Sequence, residues 1–121
     1  MNFVFFSRLP SLNETIRLAK SHPQAYAAAK RQHTQAIALQ AKSQSREPVR
    51  GPVEVHFSWF CCDRRTDPDN LTSAKKFILD GLVAGGVLED DGWSHILSFR
   101  DSWHVDRAHP RIEVQLIGEQ G

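Results

Sequence analysis

The sequence predicts a single α/β domain, or its α+β variant, spanning residues 1–121 in the order β-α-β-α-β-β, with two main helices packed against a mixed sheet. Three observations predict it. A chain of 121 residues, 40% apolar and 24% charged, is long enough for one core and too short for two. Strand-like segments at residues 1–10 and 53–60 are each followed by a stretch of helical periodicity. Two further strand-like segments then close the chain.

"MNFVFFSRLP" opens with an apolar, aromatic-rich run and ends at Pro10, which reads as a strand buried on both faces and central in its sheet. A short irregular or helical piece follows over residues 12–20. From Pro23 to about residue 41, Ala, Gln and Lys dominate, and Tyr26, Ala29, His33, Ile37 and Gln40 trace one helical stripe. "KSQSREPVRGP" reads as a loop. "VEVHFSWF" alternates strictly, with Val53, Val55, Phe57 and Trp59 on one face and Glu54, His56 and Ser58 on the other, as in a half-buried strand. Its exit leads to Asn70, a suitable N-cap for one helix carrying Leu71, Ala74, Ile78, Gly81 and Leu82, closed by Gly85-Gly86. "HILSFRD" and "RIEVQLI" are the last strands, joined in a hairpin by a loop around "WHVDRAHP".

Cys61 and Cys62 are adjacent and poorly placed for a structural bridge, and no signal-peptide pattern is visible, so a reducing, cytoplasmic setting is expected. The longest apolar runs are far too short for a membrane-spanning helix. Net charge is only +1, yet residues 1–50 hold eight Lys/Arg against two Glu and the remainder holds seven against twelve Asp/Glu. That split suits a protein that grips a polyanion with one part and holds cations with the other, although a solvated basic helix would give the same count.

In the acidic half, "DPDNLTSAKKFILDGLVAGGVLEDD" places four aspartates, Asp67, Asp69, Asp90 and Asp91, around a segment of helical apolar pattern. Pro68 biases Asp67 toward an extended backbone, so Asp67 and Asp69 can project to one side. Asp90 and Asp91 lie beyond the glycines, where the chain can turn back. Converging carboxylates repel unless a cation lies between them, and hard oxygen ligands suit Mg²⁺, with Mn²⁺ as the alternative. The plainer reading is a turn and a helix cap at Asp67 and Asp69 and a surface turn at Asp90-Asp91. Elsewhere, His104, Asp106 and His109 have metal-ligand spacing without an evident fourth ligand. Cys61 and Cys62 lack a neighbouring His and read as small strand-end side chains. Trp93 and Trp103 suit either base stacking or packing in a core or dimer contact. Asp101, at a strand end, suits a structural hydrogen-bond acceptor.

Asp67-Pro68-Asp69-Asn70-Leu71, Lys76, Leu79-Asp80-Gly81-Leu82, Gly86-Val87-Leu88 and Glu89-Asp90-Asp91 together resemble the signature of the RusA-type Holliday-junction resolvases. "LPSLNETI" with Tyr26 and Lys30, "VEVHFSWF" and "FRDSWHVDRAHPRIEVQL" resemble the branch found in Gram-positive bacteria and prophages. The resemblance implies a homodimeric endodeoxyribonuclease that cuts four-way DNA junctions symmetrically with Mg²⁺. It places the metal-binding aspartates on Asp67, Asp69 and Asp91, with Asp90 beside them, and the essential lysine on Lys76. The interval before that lysine is three residues longer than in the enterobacterial type member, so Lys75 is the competing position. Lys76 is favoured because it precedes Asp80 by four residues on the polar side. Arg8, Arg17, Lys20, Lys30 and Arg31 are the expected phosphate contacts. Two alternatives remain at this point: a catalytically idle branched-DNA-binding module, and a less selective flap or fork nuclease.

Overall fold

The structure is a computed structural model that describes residues 1–45 and 47–118; Arg46, within the segment read as a loop, and residues 119–121 lie outside it. β1 (Asn2–Phe5) leads to α1 (Leu12–Ser21), whose first turn carries a reciprocal capping box: Ser11 Oγ accepts from the Glu14 amide and Glu14 Oε1 accepts from the Ser11 amide. His22 ends α1 and starts α2 (Pro23–Gln44), because the residue before a proline is pushed out of the helical region; its φ and ψ are −144° and 80°. β2 (Val53–Cys61), α3 (Pro68–Thr72), α4 (Lys75–Ala84), β3 (Ile96–Val105) and β4 (Arg111–Gly118) follow. The architecture is α+β, and the expected β-α-β-α-β-β order holds when adjoining helices are grouped.

The four strands form one mixed sheet in the order β1-β4-β2-β3, with β2 antiparallel to β4 and parallel to β3. Alternation puts Val53, Val55, Phe57 and Trp59 of β2 and Ile112, Val114 and Leu116 of β4 on one buried face, with Phe3 and Phe5 of β1. Ile37 and Ala41 of α2 and Phe77, Ile78 and Leu82 of α4 join them in one core. The opposite face is polar and solvated, with contacts such as Ser98 Oγ to Glu54 and Ser102 Oγ to Ser58 Oγ.

Three expectations fail here. β1 is an edge strand, not a central one, and Phe6 just beyond it is 66% exposed. Its free edge is closed by glutamines of α2: Gln44 accepts from the Val4 amide at 2.7 Å and donates to the Val4 carbonyl at 2.8 Å, while Gln40 accepts from the Phe6 amide. β3 and β4 are not a hairpin, because they lie on either side of β2, and Trp103, His104 and Val105 belong to the strand rather than the loop. The single helix expected after Asn70 is two, interrupted at Ser73 and Ala74. Pro68 starts α3 two residues earlier, so Asp67 is its N-cap. Gly85 and Gly86 do close α4 as read, in a Schellman arrangement: the Val87 amide bonds to the Leu82 carbonyl, the Gly86 amide to Val83, and Gly86 has φ of +77°.

Candidate active site

Asp67 has extended backbone, enters α3 without using its carboxylate as a cap, and is exposed together with Asp69 in the first helical turn. Neither carboxylate has a hydrogen-bond or ion-pair partner among the described residues. Asn70 takes a role that spacing did not suggest: its Oδ1 accepts from the Asn13 amide at 2.9 Å. It thereby satisfies a donor in the first turn of α1 that has no partner within its own helix. The acidic α3 is thus fixed to the basic α1.

On α4, Lys76 Nζ lies 3.1 Å from Asp80 Oδ1 and 3.6 Å from Asp91 Oδ2. Asp80 and Asp91 are each about three-quarters covered, whereas Lys76 is 61% exposed. Hydrogen bonding to Asp80, reinforced by the charges of Asp80 and Asp91, holds the Lys76 ammonium above the usual lysine range, so it is cationic at neutral pH. Asp80 orients a lysine that remains accessible to an anion. Asp90 is exposed beside Asp91. The structure therefore joins Lys76, Asp80 and Asp91, and leaves Asp67 and Asp69 free on the neighbouring helix. Among the described residues, no three His, Cys, Asp or Glu side chains form a ready metal cage.

Lys75 points elsewhere. Its Nζ is 2.9 Å from Asp101 Oδ2, and Trp59 Nε1 donates to the other oxygen, also at 2.9 Å. The ammonium lies 5.1 Å and 4.5 Å from the Phe57 and Phe99 ring centroids, and its side chain is only 17% exposed. Asp101 is thus the structural acceptor that its strand position suggested. The sequence carried a signal for its lysine partner, since Lys75 adjoins the apolar stripe of α4. The Asp106 carboxylate is engaged by Arg111 Nη1 at 2.9 Å and by the Ala108 and His109 amides, which hold its pKa below the usual range. It orders the turn before β4.

Two open grooves flank this segment. One, of about 490 Å³, lies between α1 and α2 and includes Arg17, His22, Lys30, His33 and, from α4, Phe77. The other, of about 730 Å³, includes Arg8, Arg65, Leu71, Ala74 and Arg111. Pro10 and Glu14 border both, so the grooves meet at the start of α1, and the α3–α4 segment contributes a wall to each. Of the expected phosphate contacts, Arg17 and Lys30 are in the first groove and Arg8 in the second, while Lys20 and Arg31 are exposed on the helices. Arg65 and Arg111 were not foreseen; no periodicity marks them, because the loop after β2 and the start of β4 come to one groove only in three dimensions.

Accessible carboxylates and an oriented lysine between basic grooves, on one small α+β domain, suit a protein that handles nucleic acid. No helix among the described residues is long and apolar enough to cross a membrane. The family model for Endodeoxyribonuclease RusA matches residues 7–117, nearly the whole chain and all of the segment that carries Asp67, Asp69, Lys76 and Asp91. The chain belongs to this family of Holliday-junction-resolving endonucleases, enzymes that act on branched DNA. No curated protein is similar enough to the chain to count as a match.

Proposed function

We propose that the protein resolves four-way junctions by paired, symmetric phosphodiester hydrolysis as a homodimer, with Mg²⁺ or Mn²⁺ held by Asp67, Asp69 and Asp91, assisted by Asp90. The observation that carries the reading is Lys76, oriented by Asp80 toward Asp91 within the segment that matches the family. The donor set fits the metal: hard carboxylate oxygens, two of them uncommitted, suit a cation that usually takes one or two carboxylates and completes its shell with water and phosphate. A bound metal supplies charge neutralisation and a water activated at neutral pH. Lys76 neutralises charge developing on the scissile phosphate, and Asp80 keeps its ammonium aimed. Arg8, Arg17, Lys20, Lys30 and Arg31 bind the phosphates of the arms, so affinity falls steeply with salt.

A homodimer matches the two-fold symmetry of the substrate and presents two sites for two cuts. The uncovered part of the sheet supports it. Phe99, Trp103 and Val105 of β3 pair with Val55, Trp59 and Cys61 and share the face of the core, yet each is 45–46% exposed. The open carboxylate arrangement favours one rival reading, a module that binds branched DNA without cutting it.

Incubating purified protein and Mg²⁺ with synthetic junction, fork, flap and linear duplex separates these readings. Paired nicks in the junction are expected, and Asp69→Asn or Asp91→Asn should abolish them with binding kept. Cutting of flaps or forks in preference, or undiminished cutting by either variant, would reject the proposal; binding without cutting would establish the idle module.

A further inference from the structure

Trp93 is wholly exposed, the extreme among the large hydrophobic residues, and it stands two positions after Asp91. It is not on a wandering loop. The His95 and Ile96 amides both bond to the Gly92 carbonyl at 3.0 Å, closing a turn over residues 92–96 that presents Trp93 immediately before β3. Two residues of chain reach at most about 7 Å, so the backbone of Trp93 lies within that distance of Asp91, whose carboxylate faces Lys76.

We propose that Trp93 stacks on a base at the branch point of the bound DNA, next to the phosphate that is cut. This rests on the junction-resolving reading. An indole exposed on its whole surface in water gains by covering its faces, and two kinds of partner can do so. A protein partner needs a contiguous patch of about 800 Å² per side with an apolar centre. The neighbours of Trp93 along the chain are Asp90, Asp91, Gly92 and Ser94, all polar or small, and the exposed apolar side chains of β3 begin only at Leu97. An isolated aromatic ring in polar surroundings suits a flat π-face edged by polar groups and phosphate, which is a nucleotide. A continuous duplex hides its base faces, whereas the branch point interrupts the stack and can offer one. The Lys76 ammonium supplies the positive charge that lets a phosphate approach this acidic turn. Trp93 is thus a specificity-determining residue, which distinguishes a branch point from the interior of a duplex by a base face that the continuous stack hides.

The test compares Trp93→Ala, Trp93→Leu and Trp93→Phe with the wild type in equilibrium binding to a labelled four-way junction and to linear duplex of equal length, with EDTA present to stop cleavage. A junction carrying 2-aminopurine at the branch point reports stacking, and sedimentation reports assembly. Trp93→Ala should lose about 5- to 100-fold in junction affinity, with duplex affinity unchanged. Phe should restore most of the loss and Leu little, quenching of 2-aminopurine should follow the aromatic variants, and sedimentation should not change. Wild-type affinity in Trp93→Ala, rescue by Leu equal to rescue by Phe, or dissociation of the assembly in Trp93→Ala would each overturn the inference. A wild type that does not prefer the junction over duplex would instead remove the junction-resolving reading, and the inference with it.

Discussion

Adjacent lysines on one helix should separate cleanly into a structural and a catalytic member, and Lys75→Met tests this. The substitution keeps most of the stem that passes Phe57 and Phe99 and removes only the ammonium. Its loss breaks a 2.9 Å charged hydrogen bond to Asp101 in which the two side chains are 17% and 18% exposed, leaving the carboxylate with Trp59 Nε1 as its one remaining side-chain donor among the described residues. Hydrogen bonds to charged groups contribute about 1.5–3 kcal/mol, and removing one partner of a fully buried pair costs about 3–5 kcal/mol. Residual exposure screens part of this, so a cost of about 2 kcal/mol is expected. For a chain of this size that corresponds to roughly 6–10 °C in Tm. Urea denaturation of Lys75→Met, Asp101→Asn and the double variant should give a coupling of about 1–2 kcal/mol. Junction cleavage, measured where all variants are folded, should change less than about threefold. Lys76→Met should do the opposite, with a stability change under about 1 kcal/mol for this exposed pair and a rate loss of about 100-fold or more. A stable Lys75→Met that no longer cuts would transfer the catalytic role by one residue and refute the assignment.

Gly81 is where α4 approaches α2: an added Cβ would fall 2.5 Å from Ile37 Cβ and 3.1 Å from the Thr34 carbonyl. Gly81→Ala should therefore destabilise by about 3 kcal/mol, read from the denaturation midpoint. Gln44→Ala removes both hydrogen bonds to Val4 and should cost about 1–2 kcal/mol while increasing aggregation, followed by light scattering, because it bares the β1 edge. Asp106 has a depressed pKa through Arg111 and the neighbouring amides, so its contribution is present above the unfolded carboxyl value of about 3.9 and is lost as pH falls through the lower folded value. Asp106→Asn should lack that part of the acid dependence, and its denaturation midpoint should converge with the wild type's at low pH; parallel curves would reject the linkage.

Much of the architecture was legible because it depends on local periodicity. Strict alternation identified β2 and its buried face, the stripe through Ile37 located α2, and paired glycines marked the end of α4. The family was equally legible, since the motif that spans Asp67, Asp69, Lys76 and Asp91 lies in one short stretch of sequence and carries its resemblance with it. Strand order was not. An apolar run such as Phe3 to Phe6 states that a strand has something to bury, but its neighbours are chosen by β4, over a hundred residues away, and by glutamines of α2 that close the edge.

The same limit explains the errors near the site. Asn70 satisfies the common preference for a cap, yet Pro68 begins the helix earlier, and the Asn70 side chain serves α1 instead. From sequence, "WHVDRAHP" looked like a connection between two paired strands; only the sheet revealed that β2 lies between them and that Trp103 to Val105 pair with it. Composition and spacing determined one domain, its elements and the acid-rich segment, because those follow from neighbours within a turn or a strand. Tertiary structure alone decided which lysine meets Asp101 and which meets Asp91, where the basic grooves meet, and that Trp93 stands clear of every packed surface. Those outcomes depend on contacts between distant segments, and the one-dimensional pattern does not encode their distances.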